Sequence, residues 1–426
     1  MRGSIARSRP SGAAAACLSS RRRRLNQPTR MCPRRRRSDA ERRRAARGEL
    51  SMATIAIVNG IGDTVVAFRG ALVRDLVARG HAVTVSTPRP VEVDADAVSR
   101  AVQALGARCV FSPLDRTGIN PLSERRARAH YDALFRELRP DAVFASNPKP
   151  IFHAIPAARA AGVARRVAMV TGLGYAFTGS SFKARVLRAV ATRLYRGALV
   201  DATTVLFQNA DDRDELARAG ALAKAPTPRL VAGSGVDLDA FAAMPPAEEP
   251  PVFLMVARLL GDKGVREFAE AARVVRARRP SWRFRLVGWI DANPAAIRRE
   301  ELDAWVREGV LEFAGRLDDV RGELARASVF VLPSYREGTP KSALEALATA
   351  RPVVTTDAVG CRETVRDGVE GLLVPPRDAR ALADACLRLG DDAAMRAEMG
   401  ARARLRAEER FDVRRVNAEI MEALGA

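Results

Sequence analysis

The sequence predicts an α/β protein of two domains, each a doubly wound parallel sheet. Three observations lead there. The chain has 426 residues, more than one hydrophobic core usually serves, and chains of that size divide into domains. From Met52 onward short apolar runs alternate with helix-period amphipathic stretches, the mark of strands joined by crossover helices. Residues 233–250, which end in the proline- and acid-rich AAMPPAEEP, interrupt that alternation and read as a linker. The expected organisation is therefore a first domain over 52–232, a second over 251–408, and a C-terminal helical segment over 409–426.

Residues 1–51 stand apart. They hold sixteen arginines against Asp39, Glu41 and Glu49, including RRRR at 21–24 and 34–37, and so account for thirteen of the net +21 charges. Without apolar periodicity such a segment cannot bury enough surface to fold. It reads either as a disordered arginine-rich tail, which would neutralise phosphates regardless of sequence, or as untranslated, since ATIAIVNG directly after Met52 begins the first strand. The run 13–18 is too short for a secretory core, and no window of about eighteen apolar residues spans a membrane. Cys17, Cys32, Cys109, Cys361 and Cys386 are scattered, with no C-x-x-C pair and no histidines at ligand spacing. That fits a reducing cytoplasm and argues against zinc; no metal site is expected.

In the first domain the strand candidates are 54–58, 82–86, 109–111, 142–145, 166–170 and 203–207. Between the first two, residues 68–79 place Leu72, Val73, Leu76 and Val77 on one helical face and stop at Gly80. The turn Asn59-Gly60-Ile61-Gly62-Asp63 has half of a dinucleotide fingerprint but Val65 where a third glycine belongs, so it is a weak cofactor signal. Gly60 and Gly62 either let a bulky ligand approach the backbone at the sheet's carboxyl edge or simply make a tight turn. Three strings, DRTGINP from Asp115, SNPKP from Ser146 and TGLGYAFTG from Thr171, each follow a strand. A parallel sheet puts all three on one edge, facing one cleft. Next, residues 182–199 align Phe182, Val186, Leu187, Val190 and Leu194 on one side of a helix, flanked by Lys183, Arg185, Arg188, Arg193 and Arg196. Such a helix either lies on an anionic membrane surface or packs on the sheet with its arginines stretched to solvent.

In the second domain the strand 252–257 runs into Arg258, then Lys263 and Gly264, before a helix turning Val265, Phe268, Ala269, Ala272 and Val275 inward. Two cations five residues apart on a strand-to-helix turn suit a diphosphate clamp, Arg258 with a planar fork and Lys263 with a point charge, neutralising a leaving group. Strands follow at 284–287, 311–313, 327–332, 353–355 and 372–374, and a closing helix at 413–424.

The stretch PSYREGTPKSALEAL, residues 333–347, carries the most chemistry. Thr339 reads as an N-cap and Pro340 as the first helical residue, so a helix begins near Lys341 with free N–H groups and a positive dipole end for an anion. Glu337 precedes that end beside Gly338. Glu345 stands roughly 9 Å along the helix from Thr339, at about 1.5 Å per residue. Carboxylates accept from vicinal hydroxyls, so one suits the sugar and the other the ribose of a nucleoside diphosphate sugar. Read blandly, the same residues make a surface loop and a helix with Leu344, Leu347 and Ala348 inward and Glu345 solvated.

Taken whole, Glu337, seven residues and Glu345, with Gly338 and Pro340 inside, resembles the signature of family 4 glycosyltransferases of the GT-B fold, two Rossmann-like domains facing a cleft. The resemblance covers nearly all of residues 52–426. It implies a retaining, metal-independent hexosyltransferase with no cofactor, whose substrate is a nucleotide-sugar, UDP-linked. It assigns Arg258, Lys263 and Glu337 to catalysis, and Gly338, Thr339, Pro340, Lys341 and Glu345 to the donor. The three first-domain strings resemble the branch that elongates undecaprenyl-diphosphate-linked sugars in bacterial glycan assembly. That implies a lipid-linked saccharide acceptor, met by Gly60, Gly62, Arg116, Thr117, Asn120, Lys149, Gly172, Gly174 and Tyr175, and an enzyme peripheral to an anionic membrane at its cytoplasmic face, with no nucleic-acid partner. The branch has threonine two residues before Lys149, where this chain has Asn147. His81, His130 and His153 sit in no matching motif, so no general base is assigned. The alternatives are a nucleotide-sugar epimerase of the same fold, a non-catalytic nucleotide-sugar binder, or an arginine-tailed nucleic-acid-binding protein.

Overall fold

In the computed structural model, residues 52–426 are described except 116–119, 175, 176, 178, 180, 291, 292 and 294. The arginine-rich segment and the acceptor candidates Arg116, Thr117 and Tyr175 thus lie outside the described residues.

The alternation read from the sequence produces two all-parallel sheets. The first joins β1 (Thr54–Asn59), β2 (Ala82–Pro88), β3 (Arg108–Ser112), β4 (Ala142–Ser146), β5 (Arg165–Val170), β6 (Thr204–Phe207) and β7 (Arg229–Leu230) in the order β3-β2-β1-β4-β5-β6-β7. Helices α1 (Val65–Ala78), α2 (Ala95–Ala104), α3 (Pro121–Leu138), α4 (Pro148–Ala160), α5 (Phe182–Leu199) and α6 (Ala210–Arg218) connect them. The second sheet joins β8 (Val252–Val256), β9 (Arg283–Val287), β10 (Glu312–Phe313), β11 (Val329–Leu332), β12 (Val353–Thr356) and β13 (Gly371–Val374) in the order β10-β9-β8-β11-β12-β13. Its helices are α7 (Val265–Arg278), α8 (Arg299–Arg307), α9 (Arg321–Arg326), α10 (Lys341–Ala348), α11 (Ala379–Asp391) and α12 (Ala393–Arg406).

Strands buried on both faces read as apolar runs, and one core fills each side of the first sheet. Ala56, Val58, Val143 and Ala145 pack under α3, α4 and α5. Ile55, Ile57, Leu72, Val73 and Leu76 fill the other side. The last helix, α13 (Val413–Leu424), belongs to that second core. Val416, Ile420, Met421 and Leu424 are buried there, and Asn417 Nδ2 donates to Asp75 Oδ2 at 2.7 Å.

Strand order reverses once in each sheet, between β1 and β4 and between β8 and β11. At such a switch point the loops leaving neighbouring strands part to opposite faces and leave a crevice at the carboxyl edge, where ligands of doubly wound sheets bind. The turn after β1, the SNPKP string, the Arg258–Lys263 turn and the Glu337 loop are the four loops at these two points.

Candidate active site

A cavity of about 590 Å³ opens between the two carboxyl edges. Arg258, Lys263, Glu337, Gly338, Thr339, Pro340, Lys341 and Glu345 all line it, facing Asn59, Asp63, Arg69, Asn147, Thr171 and Gln208 of the first domain. The structure thus brings together every donor-side residue singled out from sequence.

Gly264 takes φ +74° and leaves no room for a side chain: a Cβ there would meet the Pro333 carbonyl at 2.1 Å. That contact seats the Lys263 turn against the start of the Glu337 loop. Lys263 Nζ then donates to Glu337 Oε1 at 2.5 Å, both side chains being mostly buried. Tyr335 N–H donates to Asp262 O and Glu337 N–H to Val359 O, each at 2.9 Å. The two groups assigned to opposite ends of a sugar diphosphate are therefore held together. Lys263 keeps further N–H donors and Glu337 a second oxygen for a ligand between them.

The helix α10 begins at Lys341 with Pro340 as its N-cap and no capping side chain. This corrects the N-cap reading of Thr339. Its hydroxyl donates instead to Gln208 O in the first domain at 3.2 Å. Gly338 is equally committed across the cleft. Its carbonyl accepts from Asn209 Nδ2 at 2.9 Å, and a Cβ on it would meet Thr171 O at 2.0 Å. Lys341 also crosses, its ammonium donating to Ala67 O and lying over the Phe68 ring. Ala343 and Leu344 N–H donate to Pro340 O, which leaves the N–H groups of Lys341 and Ser342 with no carbonyl a turn earlier in the helix, and the dipole favours negative charge there.

Glu345 is not a solvated helix residue. Burial pushes its carboxyl up to about 7, against the pull of Lys341 and with Asp319 adding to the rise. A hydroxyl-bearing ligand that donates to this group would favour its ionised form.

The acceptor candidates divide. Gly60, Gly62 and Asn120 line a second cavity of about 860 Å³, which shares Ile61 and Asp63 with the first. Asn147, at φ 77°, ties the loops together, its Oδ1 accepting from Gly60 N–H at 3.1 Å and its Nδ2 donating to Thr171 Oγ1 at 2.9 Å. Gly172 backs onto Gly338, and Gly174 is exposed beyond it. Lys149 lines neither cavity. Its ammonium pairs with Glu124 Oε1 at 2.7 Å, and His153 Nε2 lies 2.5 Å from the other oxygen.

Three residues were missed in the sequence. Arg336, beside Glu337, pairs across the cleft with Asp212 and, at 2.7 Å, with Glu215 on α6. Nothing local signals this, because its partners lie more than 120 residues away. Trp289 lines the first cavity with a buried Nε1–H that has no partner among the described residues. Arg69 is buried on the wall of the same cavity. It falls on the apolar stripe of α1, three and four residues before Leu72 and Val73, and an arginine in such a stripe is the signal that was available. Among the described residues no three His, Cys, Asp or Glu side chains group as a metal site.

Two Rossmann-like sheets whose switch points face one cleft define the GT-B class of glycosyltransferase. The family described as Glycosyltransferase Family 4 matches residues 67–240 and that described as Glycosyl transferases group 1 matches residues 250–392. The chain thus carries a glycosyltransferase family 4 domain followed by a glycosyl transferases group 1 domain. It is similar to the N,N'-diacetylbacillosaminyl-diphospho-undecaprenol alpha-1,3-N-acetylgalactosaminyltransferase of Campylobacter jejuni, with 27% identity over 355 residues, 80% of this chain and 90% of that protein. Among solved structures it shares its fold with the sucrose-phosphate synthase of Thermosynechococcus elongatus (TM-score 0.72, 21% identity, 87% of this chain and 98% of that one). The same holds for HepE of Anabaena in complex with UDP-glucose (TM-score 0.70, 19% identity, 87% and 99%).

Proposed function

We infer that this glycosyltransferase moves a sugar from a UDP-sugar to a lipid-diphosphate-linked saccharide in bacterial polysaccharide assembly, with retention of configuration and without a metal. The observation that carries this reading is the convergence of Arg258, Lys263, Glu337 and Glu345 on one cavity between the two sheets. The donor's diphosphate lies against Arg258, Lys263 and the start of α10. Glu337 accepts from the sugar's hydroxyls and Glu345 from the ribose. As the C1–O bond to the diphosphate breaks, negative charge grows on the departing oxygen, where the two cations and the helix dipole oppose it. The acceptor hydroxyl forms the new C1–O bond on the same face and passes its proton to the leaving phosphate oxygen.

The acceptor class rests on the Campylobacter relative's printed activity, on the second cavity, which adjoins the first, and on α5. That helix buries Ala184, Tyr195, Ala198 and Leu199 and exposes Phe182 (74%), Val186 (47%), Val190 (44%) and Leu194 (45%). The packing reading of α5 thus holds on one face, and the other face leaves an exposed apolar row on which the membrane reading rests. Arg188 and Arg196 donate to loop carbonyls, which leaves Arg185 and Arg193 exposed beside the apolar row. No helix of the described residues is long and apolar enough to cross a membrane. An apolar row flanked by cations suits a peripheral seat on anionic lipid, at the cytoplasmic face where nucleotide-sugars are available.

The test is a panel of nucleotide-sugars against undecaprenyl-diphosphate saccharides, with the anomeric coupling constant of the product read by NMR. Transfer from a UDP-sugar with retention is expected. An inverted product, or transfer to free saccharides alone, refutes the reading.

A further inference from the structure

Arg69 is a buried cation with no counter-ion among the described residues. It is 3% exposed, and its Nε has no partner among the described residues. Nη1 reaches Ser234 Oγ at 3.3 Å and Phe68 O at 3.4 Å, and Nη2 reaches Met169 Sδ at 3.5 Å. The guanidinium also lies 5.2 Å from the Phe144 ring centre. All of these partners are neutral, and no carboxylate among the described residues pairs with it. A charge so placed is costly unless something neutralises it.

The molecule contains its own comparison. Arg351, 2% exposed, gives Nε to Leu324 O at 2.8 Å and Nη2 to Ala325 O at 3.2 Å, carbonyls at the end of a helix where cations are favoured. It lies away from the first cavity. Arg69 has no such seat, and it lines the cavity wall with Ser234. Lys341 of the second domain reaches the same helix, donating to Ala67 O two residues before Arg69. The closed cleft therefore carries two cations at this wall, one from each domain.

We propose that Arg69 is the first domain's ligand for a substrate phosphate, supplying the anion contact that completes the clamp made by the second domain. The guanidinium lacks an anion because the anion arrives with the substrate. Its fork suits two phosphate oxygens. The diphosphate of the donor and that of a lipid-linked acceptor share this chemistry. The inference rests on the glycosyltransferase reading above and adds a residue to it.

The test compares wild type, Arg69→Met, Arg69→Lys and Arg351→Met. Calorimetry with pyrophosphate and with UDP is followed by steady-state transfer to an undecaprenyl-diphosphate saccharide. Arg69→Met keeps most of the bulk and removes the charge. Without ligand it melts higher than wild type, since an uncompensated buried charge is gone, yet it binds the phosphate ligand about tenfold to a hundredfold more weakly. Arg69→Lys recovers part of the affinity, whereas Arg351→Met melts lower and binds normally. Weakened UDP binding assigns the anion to the donor. Unchanged UDP binding with a raised acceptor KM assigns it to the acceptor. Weakened pyrophosphate binding upholds the site even where wild type ignores UDP, a result that removes only the uridine reading. A lowered melting temperature in Arg69→Met with all three ligand responses unchanged makes Arg69 a packing residue and overturns the proposal.

Discussion

Glu345→Gln separates the stability of the site from its function. The Glu345 carboxyl is pushed up to about 7 from an ordinary 4.5, chiefly by burial. Between those values the folded protein holds a proton that the unfolded chain has released, so the native state loses stability as pH rises from 4.5 through 7. A tenfold change in proton affinity is about 1.4 kcal/mol. The full cost above pH 7 is then about 3 kcal/mol, of which about 2.5 kcal/mol develops between pH 5 and pH 8. Glutamine keeps the shape and cannot ionise. Unfolding of both proteins without nucleotide, followed at several pH values across that range, should show the variant gaining on wild type toward pH 8. UDP acts in the opposite direction, because ribose hydroxyls donate to the carboxylate. Its binding to wild type should tighten from pH 6 to pH 8 and release protons near pH 7, measurable by calorimetry in buffers of different ionisation enthalpy. In Glu345→Gln both effects should vanish and UDP should bind more weakly at pH 8. A stability gap that stays constant with pH refutes the buried carboxyl. Equal UDP affinity at pH 8 removes Glu345 from the donor site.

Arg258→Ala and Lys263→Ala should each lower kcat/KM by about tenfold to a hundredfold, the loss of one charge-assisted contact, and weaken UDP binding; normal turnover in a folded variant removes the clamp. Glu337→Gln should depress turnover more than UDP affinity, since it puts a donor beside the sugar's hydroxyls and loosens Lys263; steady-state kinetics beside calorimetry distinguishes this from Glu345→Gln. Gly338→Ala should reduce transfer by at least about tenfold, because its Cβ would sit 2.0 Å from Thr171 O, while nucleotide still binds the second domain; full activity in this variant means the cleft opens during turnover. Phe182→Ser with Arg185→Glu and Arg193→Glu should abolish salt-sensitive co-sedimentation with anionic vesicles, and unchanged recovery leaves α5 as scaffold alone.

What the sequence made legible was whatever depends on neighbours in the chain. Apolar runs located the strands, but β1, β3 and β4 each continue into a polar residue, Asn59, Ser112 and Ser146. A parallel ladder continues through the backbone whatever the side chain. The two-residue β7, Arg229–Leu230, was not read as a strand. Thr339-Pro340 has the letters of a capped helix start, yet a carbonyl of the other domain takes the hydroxyl. In α5 the period was visible and the buried face was not, because half of the packed positions are small, Ala184 and Ala198 beside Tyr195 and Leu199, while the apolar row of Phe182, Val186, Val190 and Leu194 points outward.

The pairing of Lys263 with Glu337 was hidden for a different reason, and topology supplies what the local pattern lacks. The two residues are 74 positions apart, and each reads on its own as an exposed charge on a loop. Once β8 lies beside β11, with Val329 against Phe253 and Phe330 against Leu254, the loops leaving them start from one point on the carboxyl edge. The β8 loop must climb into α7 and the β11 loop into α10, so they separate around a gap that both border. Gly264 against Pro333 O closes that gap at its base and leaves Lys263 and Glu337 facing at its mouth. The crevice that makes a switch point a binding site is thus the same feature that brings the cation and the carboxylate together. A sequence reader who places Arg258–Lys263 and Glu337–Glu345 after the two central strands can infer the contact from strand order alone.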